Sequence, residues 1–161
     1  MRSEQEIHRV IDEYGDMIRR ICFLHLKNYQ DTEDIFQDIF LKYLLWDGSF
    51  ENEAHEKAWF ARVTINACRD LLRSFTRHTM VSLAEIADVS ELPQDPDQQE
   101  LLRQVCTLPS KYRDVIYLFY YEGYSAVEIA KILHKKENTI YTWLDRARKA
   151  LRKQLGGENH E

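Results

Sequence analysis

Residues 125–155 read SAVEIAKILHKKENTIYTWLDRARKALRKQL. Ser125 and Glu128 have the spacing of a capping box, which opens a short helix with apolar residues at helical spacing. The polar turn His134–Glu137 follows, and a longer basic helix is predicted over about Asn138–Leu155. A short capped helix, a tight turn and a longer basic helix are typical of the helix-turn-helix motif, whose second helix lies in the major groove of DNA. An ordinary helical hairpin is the alternative.

The longer helix has two faces at the helical period. The residues predicted to face inward are Ile140, Leu144, Ala147, Leu151 and Leu155. The residues predicted to face outward are Asn138, Thr142, Asp145, Arg146, Lys149 and Lys153. The outward positions near the start of such a helix reach base edges. Arg148, Arg152 and Tyr141 lie on one flank, where we expect phosphate contact, and Trp143 lies near the core boundary.

The charge of the chain is unevenly distributed. The net charge is −5, which at first argues against a nucleic-acid partner. Residues 79–100 hold six acids and no Lys or Arg, whereas residues 101–155 hold eleven Lys or Arg against five acids, a net charge of +6. Such asymmetry is typical of a nucleic-acid-binding domain preceded by an acidic linker.

The remaining chain is also predicted to be helical. Further helices are expected over about residues 7–25, Asp31 or Thr32 to Trp46, Glu56–Arg77, Asp97–Thr107 and Pro109–Glu122, with Gly123 following the last of them. Hydrophobic residues make up 44% of the chain and charged residues 30%, which fits a folded protein. No strand pattern occurs, so the predicted fold class is all-α.

The helices are predicted to form two small domains. The first spans residues 1–78 and the second residues 101–155, followed by a polar tail at 156–161. Residues 79–100 form the acidic linker, in which Pro93 and Pro96 fall and a single helical turn is expected near Leu83–Ala87.

The helix that begins near Asp31 has a core face and a second face of mixed character. The core side is predicted to hold Ile35, Phe36, Ile39, Phe40, Tyr43 and Leu44. The opposite side holds Asp34, Gln37, Asp38, Leu41 and Leu45. Leucines among carboxylates away from the core suggest a docking surface for another protein, although scattered exposed leucines are normal. A dinuclear metal site is not expected, because the chain has no Glu-x-x-His pair.

The helix Glu56–Arg77 is predicted to carry an apolar stripe and a basic stripe. The apolar stripe is Phe60, Val63, Ala67, Leu71 and Phe75. The basic stripe, roughly opposite, is Arg62, Asn66, Arg69, Arg73 and Arg77. Arginines neutralise phosphates and asparagine can bond a base edge, so the stripe suggests DNA contact; a solvated charged face is the alternative.

The remaining chemistry favours a binding protein over an enzyme. Cys22, Cys68 and Cys106 have neither metal nor disulfide spacing, which suggests reduced cysteines in a cytoplasmic protein. The sequence shows no signal peptide and no membrane-length apolar run. The six histidines are scattered, and no nucleophile–base or glycine-rich phosphate motif is present. We therefore expect no catalytic residue, no metal and no cofactor.

Five segments, in order, resemble the extracytoplasmic-function (ECF) sigma factors of bacterial RNA polymerase. These segments are Asp34–Lys42, Ala58–Asn66 with Asp70–Arg73, Leu108–Ile116, Gly123–Ser125 with Glu128–Ala130, and Thr139–Ile140 with Arg146–Arg152. The resemblance covers the chain from about Tyr14 to Leu155. It implies a subunit that binds core polymerase and directs it to promoters.

The resemblance also implies roles for individual residues. Core-polymerase binding falls to Asp34, Gln37, Asp38, Phe40 and Leu41, of which Phe40 is core support by its helix position. Contact with the −10 element falls to Phe50, Trp59, Arg62, Asn66, Arg69 and Arg73. Contact with the −35 element falls to Ser125, Lys136, Asn138, Thr139, Tyr141, Thr142, Arg146, Arg148 and Lys149. The loop Asp47–Ala54 corresponds to the one that captures a flipped base of the non-template strand.

The implied partners are the β′ coiled coil and β flap of core polymerase, promoter DNA and an anti-sigma factor, with no small-molecule substrate and no membrane insertion. The chain departs from many relatives at Tyr141-Thr142-Trp143, where they have a basic-small-basic triplet. Thr142 and Arg146 are therefore the candidates for base reading, and Asp145 either accepts from a cytosine amino group or excludes wrong sites. A stand-alone helix-turn-helix regulator is the alternative function.

Overall fold

The computed structural model describes residues 1–26, 28–78 and 96–159, and all regular structure in these ranges is helical, as predicted. The helices are α1 (Glu4–His25), α2 (Tyr29–Leu45), α3 (Glu53–His78), α4 (Pro96–Val105), α5 (Ser110–Ile116) with a π-helical turn at Tyr117–Tyr121, α6 (Ala126–Leu133) and α7 (Glu137–Asn159). The chain divides into two compact units between Leu92 and Pro93. The turn expected near Leu83–Ala87 lies outside the described residues, and Pro96–Glu100 of the predicted linker belong to α4.

The first unit is a bundle of α1, α2 and α3, and each helix packs against the other two. Asn28, not Asp31 or Thr32, caps α2, since its side-chain oxygen accepts a hydrogen bond from the Asp31 N–H at 3.1 Å. Asn28 presents this oxygen from an extended backbone position, which an N-cap requires. The helix therefore begins earlier than the sequence suggested.

The predicted apolar stripe of α3 is only partly correct. Phe60 is fully buried, but the other buried residues of α3 are Glu56, Ala61, Thr64, Ile65 and Cys68, while Val63, Ala67 and Leu71 are half-buried. The helix packs against α1 and α2 together, and this turns the face that begins at Ala61 toward the core. The Thr64 hydroxyl donates to the Phe60 carbonyl at 2.6 Å, so a polar residue fits there without an unpaired donor. The Phe75 side chain lies outside the described set.

A buried carboxylate joins α1 to α3. Arg9 donates two hydrogen bonds to Glu56, at 3.0 and 2.8 Å, and the Tyr14 hydroxyl donates a third at 2.8 Å. Burial acts to raise the pKa of Glu56, but the hydrogen bonds from Arg9 and Tyr14 outweigh it and hold this pKa below its ordinary value. Burial, together with the bond to Glu56, raises the pKa of Tyr14, so the phenol stays a donor at neutral pH.

Two cysteines that lie far apart in sequence meet in this core. Cys22 of α1 and Cys68 of α3 are fully buried thiols that form no disulfide, and the Cys68 thiol donates to the Cys22 sulfur at 3.9 Å. This separation is well beyond a disulfide bond length of about 2.05 Å. The pair therefore packs as small apolar side chains between the two helices.

The second unit packs α4, α5 and α6 against α7. Pro109 is the residue before α5, and the helix changes to π-helical geometry at Tyr117–Tyr121, which the sequence did not predict. Gly123 then adopts the positive φ of 78° expected of a residue that follows a helix. The last helix continues through Gly156 and Gly157, which we expected to end it; glycine lowers helix stability by only about 1 kcal/mol.

Alanine is expected to act in opposite directions at Gly123 and Gly15. A Cβ at Gly123 meets no atom within 4 Å, so Gly123→Ala is destabilising through its positive φ alone, by about 1 kcal/mol. Gly15 lies inside α1, where a Cβ makes ordinary contact with the Phe36 ring at 3.5 Å. Gly15→Ala is therefore expected to stabilise the first unit by up to about 1 kcal/mol. Urea unfolding followed by circular dichroism measures both, and shifts in the same direction would contradict the argument.

Candidate functional site

The outward face of α2 is a mixed apolar and acidic surface. Asp34, Gln37 and Asp38 are exposed, as predicted from the helical period. Leu41 is 52% exposed and Leu45 is 63% exposed, so both leucines lie in solvent beside the carboxylates. Neither leucine belongs to the buried core of its own unit. We call these five residues the α2 surface.

Phe40 does not belong to that surface. It is buried and packs against Phe36, with ring centroids 4.8 Å apart, and against Phe60 at 5.7 Å. The resemblance had placed Phe40 among the docking residues, whereas the helix period had placed it in the core. The structure agrees with the helix period, because Phe40 faces α3 rather than solvent.

The basic stripe of α3 lies on the side of the helix away from the core. Asn66 and Arg73 are exposed, and Arg62 and Arg69 are half-buried. Arg73 forms an ion pair with Asp70 at 3.2 Å, but both side chains are at least 70% exposed, so this pair is weak and available to exchange for a phosphate. The Arg77 side chain lies outside the described set. The stripe gives α3 a positive face.

Aromatic rings surround the loop between α2 and α3. Trp46, Phe50 and Trp59 contact one another, with ring centroids 4.7 to 5.8 Å apart, and Tyr43 lies beside Phe50 and Trp59. We call these four residues the loop cluster. Phe50 and Trp59, which the resemblance assigned to the −10 element, are half-buried in this cluster. They are placed to shape the loop and offer only part of each ring to a ligand.

One residue beside this loop was not predicted from the sequence to belong to the site. Arg2 donates to the Tyr43 carbonyl at 3.1 Å and to the Gly48 carbonyl at 2.7 Å, and its guanidinium lies 4.1 Å from the centre of the Tyr43 ring. An isolated arginine ahead of α1 carries no spacing signal. Only the fold brings it to the loop.

The helix-turn-helix is formed as predicted. Ser125 and Glu128 make the reciprocal capping box at 3.1 and 2.9 Å, and His134 makes the turn with a left-handed φ of 55°. The Ser125 hydroxyl is thus engaged in capping. The predicted DNA-facing residues that are exposed are Ser125, Lys136, Asn138, Tyr141, Thr142, Arg146 and Lys149. Thr139 is half-buried.

Several side chains of α7 have intramolecular partners. Arg148 is half-buried and donates to the Tyr120 hydroxyl at 2.6 Å, which joins α7 to the π-helical turn. Lys149 pairs with Asp145 at 3.1 Å on the exposed face. Trp143 is half-buried, as expected near the core boundary, with the Lys111 ammonium 5.5 Å from its ring.

The described residues contain no group of three His, Cys, Asp or Glu side chains arranged to hold a metal ion. Within the same ranges, none of the helices is long and apolar enough to cross a membrane. The described surfaces carry basic and amide groups on α3 and α7, and leucines with carboxylates on α2.

A helix-turn-helix unit with a basic outward face, joined to a helical unit with a second basic face, defines a DNA-binding transcription protein. Residues 10–78 match the family model of sigma-70 region 2, and residues 98–151 match that of sigma-70 region 4. The chain is 31% identical to the ECF RNA polymerase sigma factor SigW of Bacillus subtilis, over 91% of this chain and 87% of that protein. It is 30% identical to RNA polymerase sigma factor SigV of the same organism, over 92% and 90%. The chain belongs to the ECF RNA polymerase sigma factors.

The fold comparison agrees with this assignment. The structure of sigma factor RpoE in complex with the anti-sigma factor NepR, from Bartonella quintana, matches with a TM-score of 0.68 at 21% identity, over 95% of this chain and 96% of that one. By its sequence relatives and the two family models, the protein is a transcription initiation factor that binds core RNA polymerase and directs it to promoters. Because both halves of the chain match, this function displaces the stand-alone regulator.

Proposed function

We propose that the α2 surface is the site that binds core polymerase, on the β′ coiled coil. The observation that carries this proposal is the exposure of Leu41 and Leu45 beside Asp34, Gln37 and Asp38. An interface of this kind has apolar anchors at its centre and a polar rim. The leucines supply the anchors, and the carboxylates favour a basic partner surface.

The basic stripe of α3 and the loop at residues 47–52 contact the −10 element in this proposal. The sequence predicted this loop to extend to Ala54, but Glu53 and Ala54 belong to α3. Arg62, Arg69 and Arg73 neutralise phosphates along the helix, and exposed Asn66 is free of the core and able to bond a base edge. The loop holds an unstacked base of the non-template strand. Extruding a base costs a few kcal/mol, which binding to the loop offsets, so strand opening needs no catalytic residue. The protein acts without a cofactor.

The second unit reads the −35 element through α7. Thr142 and Arg146 are exposed in the N-terminal half of α7, the part of a recognition helix that contacts base edges in the major groove. Lys136 and Lys149 are exposed beside them and neutralise phosphates. The same unit binds the β flap of the polymerase.

We infer that the chain works in the cytoplasm, where the polymerase is, and that an anti-sigma factor holds it inactive. RpoE of Bartonella quintana was solved with such a factor, and that chain matches this fold along nearly its whole length. We expect the anti-sigma factor to bind the α2 surface, because a partner bound to Leu41 and Leu45 blocks the binding of core polymerase.

In vitro transcription tests the proposal. Purified protein and core polymerase are incubated with a library of promoter fragments, and start sites are mapped. Transcripts that require this protein establish promoter direction and reveal the −35 and −10 sequences. If the library yields no such transcripts while the protein binds duplex DNA without core, the assignment of surfaces to polymerase fails.

Arg146→Ala is expected to lower the affinity of the holoenzyme for its promoter by about fivefold to a hundredfold. It should also weaken the preference for one base at a single −35 position. The reason is that a base contact contributes about 1–3 kcal/mol of discrimination. Arg152→Ala is the matched control on the flank of the same helix. Because Arg152 is predicted to contact a phosphate, Arg152→Ala should weaken binding to all promoter sequences alike. It should also reduce the slope of the logarithm of the binding constant against the logarithm of the salt concentration by about 1. Binding to promoters with single −35 substitutions measures both, and a uniform effect of Arg146→Ala would exclude it from base reading.

A further inference from the structure

Arg2 clamps the start of the loop that follows α2. Its Nε atom donates to the carbonyl of Tyr43 at 3.1 Å, and its Nη2 atom donates to the carbonyl of Gly48 at 2.7 Å. One guanidinium therefore joins the last turn of α2 to the middle of the loop. The Tyr43 carbonyl also accepts from the Trp46 N–H at 3.3 Å. Carbonyls in the last turn of a helix carry partial negative charge, so a cation is stabilised there.

The loop cluster fixes the same guanidinium from its other face. The Cζ atom of Arg2 lies 4.1 Å from the centre of the Tyr43 ring, 5.5 Å from that of Trp46 and 5.9 Å from that of Phe50. A cation over aromatic faces at these distances is attracted by the ring quadrupoles. The guanidinium thus lies within cation–π distance of three rings while two of its N–H groups bond to carbonyls.

The backbone at Gly48 has no room for a side chain. A Cβ at Gly48 would overlap the Trp46 ring, so this ring packs directly on the glycine backbone. The Gly48 carbonyl, in turn, accepts from Arg2. Gly48 is thus held by the Trp46 ring and by Arg2, while the residues that flank it, Asp47 and Ser49, are exposed.

We propose that Arg2 is a positioning residue that fixes the Asp47–Phe50 loop in the shape that accepts an unstacked base of the non-template strand. The inference rests on the proposed role of that loop. Arg2 acts through Gly48 and the rings, and holding the loop in place beforehand removes the ordering cost from the moment of base capture. Lysine is not equivalent, since an ammonium cannot stack as a plane and bond two carbonyls in fixed directions.

Capture of a single base can be measured on single-stranded DNA. The probe is a fluorescein-labelled oligonucleotide with the non-template −10 sequence found by the transcription assay, bound to holoenzyme and followed by anisotropy. An abasic site is moved along it one position at a time. Stacking of a base contributes enough that its removal at the captured position should weaken wild-type binding by about fivefold or more.

Arg2→Ala holoenzyme is expected to bind the intact oligonucleotide about fivefold more weakly than the wild type does. The abasic site at the captured position should then lower its affinity by less than about a further twofold. Arg2→Lys should retain part of the sensitivity. Arg103→Ala, which removes one positive charge from the exposed surface of α4, is the charge-matched control and should keep the wild-type pattern. Thermal unfolding of the free protein shows whether each variant is folded. If Arg2→Ala is not folded, the effect of the abasic site on Arg2→Lys holoenzyme is compared with its effect on the wild type instead.

The outcomes distinguish the positioning role of Arg2 from the capture of a base by the loop. If no abasic position affects the wild type, the loop captures no base and the proposed function of the loop fails. If the wild type has a sensitive position and folded Arg2→Ala keeps it undiminished, the loop role stands and the role of Arg2 is overturned. Loss of sensitivity in Arg2→Ala, with partial rescue by lysine, supports both.

Discussion

Leu41→Ala combined with Leu45→Ala is expected to weaken binding to core polymerase by about a hundredfold. The two leucines are 52% and 63% exposed, and truncating an interface anchor typically costs about 1–2 kcal/mol or more. The loss is measured by titrating labelled protein with core polymerase. The unfolding free energy should stay within about 0.5 kcal/mol of the wild type, because neither side chain packs in the core.

Leu101→Ala is the matched control for this variant. Leu101 is an exposed leucine on α4, in the other unit, and 40% of it is accessible. Its truncation removes the same apolar group without touching the α2 surface. Wild-type affinity of the Leu41/Leu45 double variant, or an equal loss in Leu101→Ala, would place the polymerase contact elsewhere.

Periodic features of the chain could be predicted from its sequence. The exposure of Leu41 and Asp38 follows from a period of 3.6 residues, and so does the burial of Ile140 and Leu144 in α7. The capping box at Ser125 is a local feature, and local features depend on few residues. The helix-turn-helix was predicted correctly for this reason, whereas the π-helical turn and the ends of α4 and α7 were not.

Features that depend on packing between distant segments could not be predicted in the same way. Arg2 reaches carbonyls more than forty positions along the chain, and Cys22 meets Cys68 only because α1 lies against α3. The buried edge of α3 at Ala61 is selected by two neighbouring helices at once. No pattern within α3 distinguishes that edge from the adjacent half-buried stripe.

Glu56→Ala is expected to lower the unfolding free energy of the first unit by about 3 kcal/mol. The substitution leaves the buried Tyr14 hydroxyl without its acceptor and removes both hydrogen bonds from Arg9. Breaking a buried ion pair costs about 3–5 kcal/mol, and the lower end applies because the Arg9 side chain is 41% exposed and solvent screens it. Urea unfolding at pH 7 measures the loss.

Glu13→Ala is the control for Glu56→Ala. Glu13 also pairs with Arg9, at 3.3 Å, but its side chain is 40% exposed. Removing it should change the unfolding free energy by less than about 0.5 kcal/mol, because exposed ion pairs contribute little. Equal losses in the two variants would mean that burial of the carboxylate is not what makes the contact with Glu56 strong.

The effect of Glu56→Ala should also depend on pH. The pKa of Glu56 is lower in the folded protein than in the unfolded chain, where a glutamate titrates near about 4.3. Its contribution is therefore complete above that pH and is lost as the pH falls through the lower folded pKa. The difference in unfolding free energy between wild type and Glu56→Ala should be constant from about pH 6 to 8 and narrow below about pH 4.3. A difference that stays constant into acid would show that packing, rather than the charge of Glu56, joins α1 to the start of the helix that carries the basic stripe.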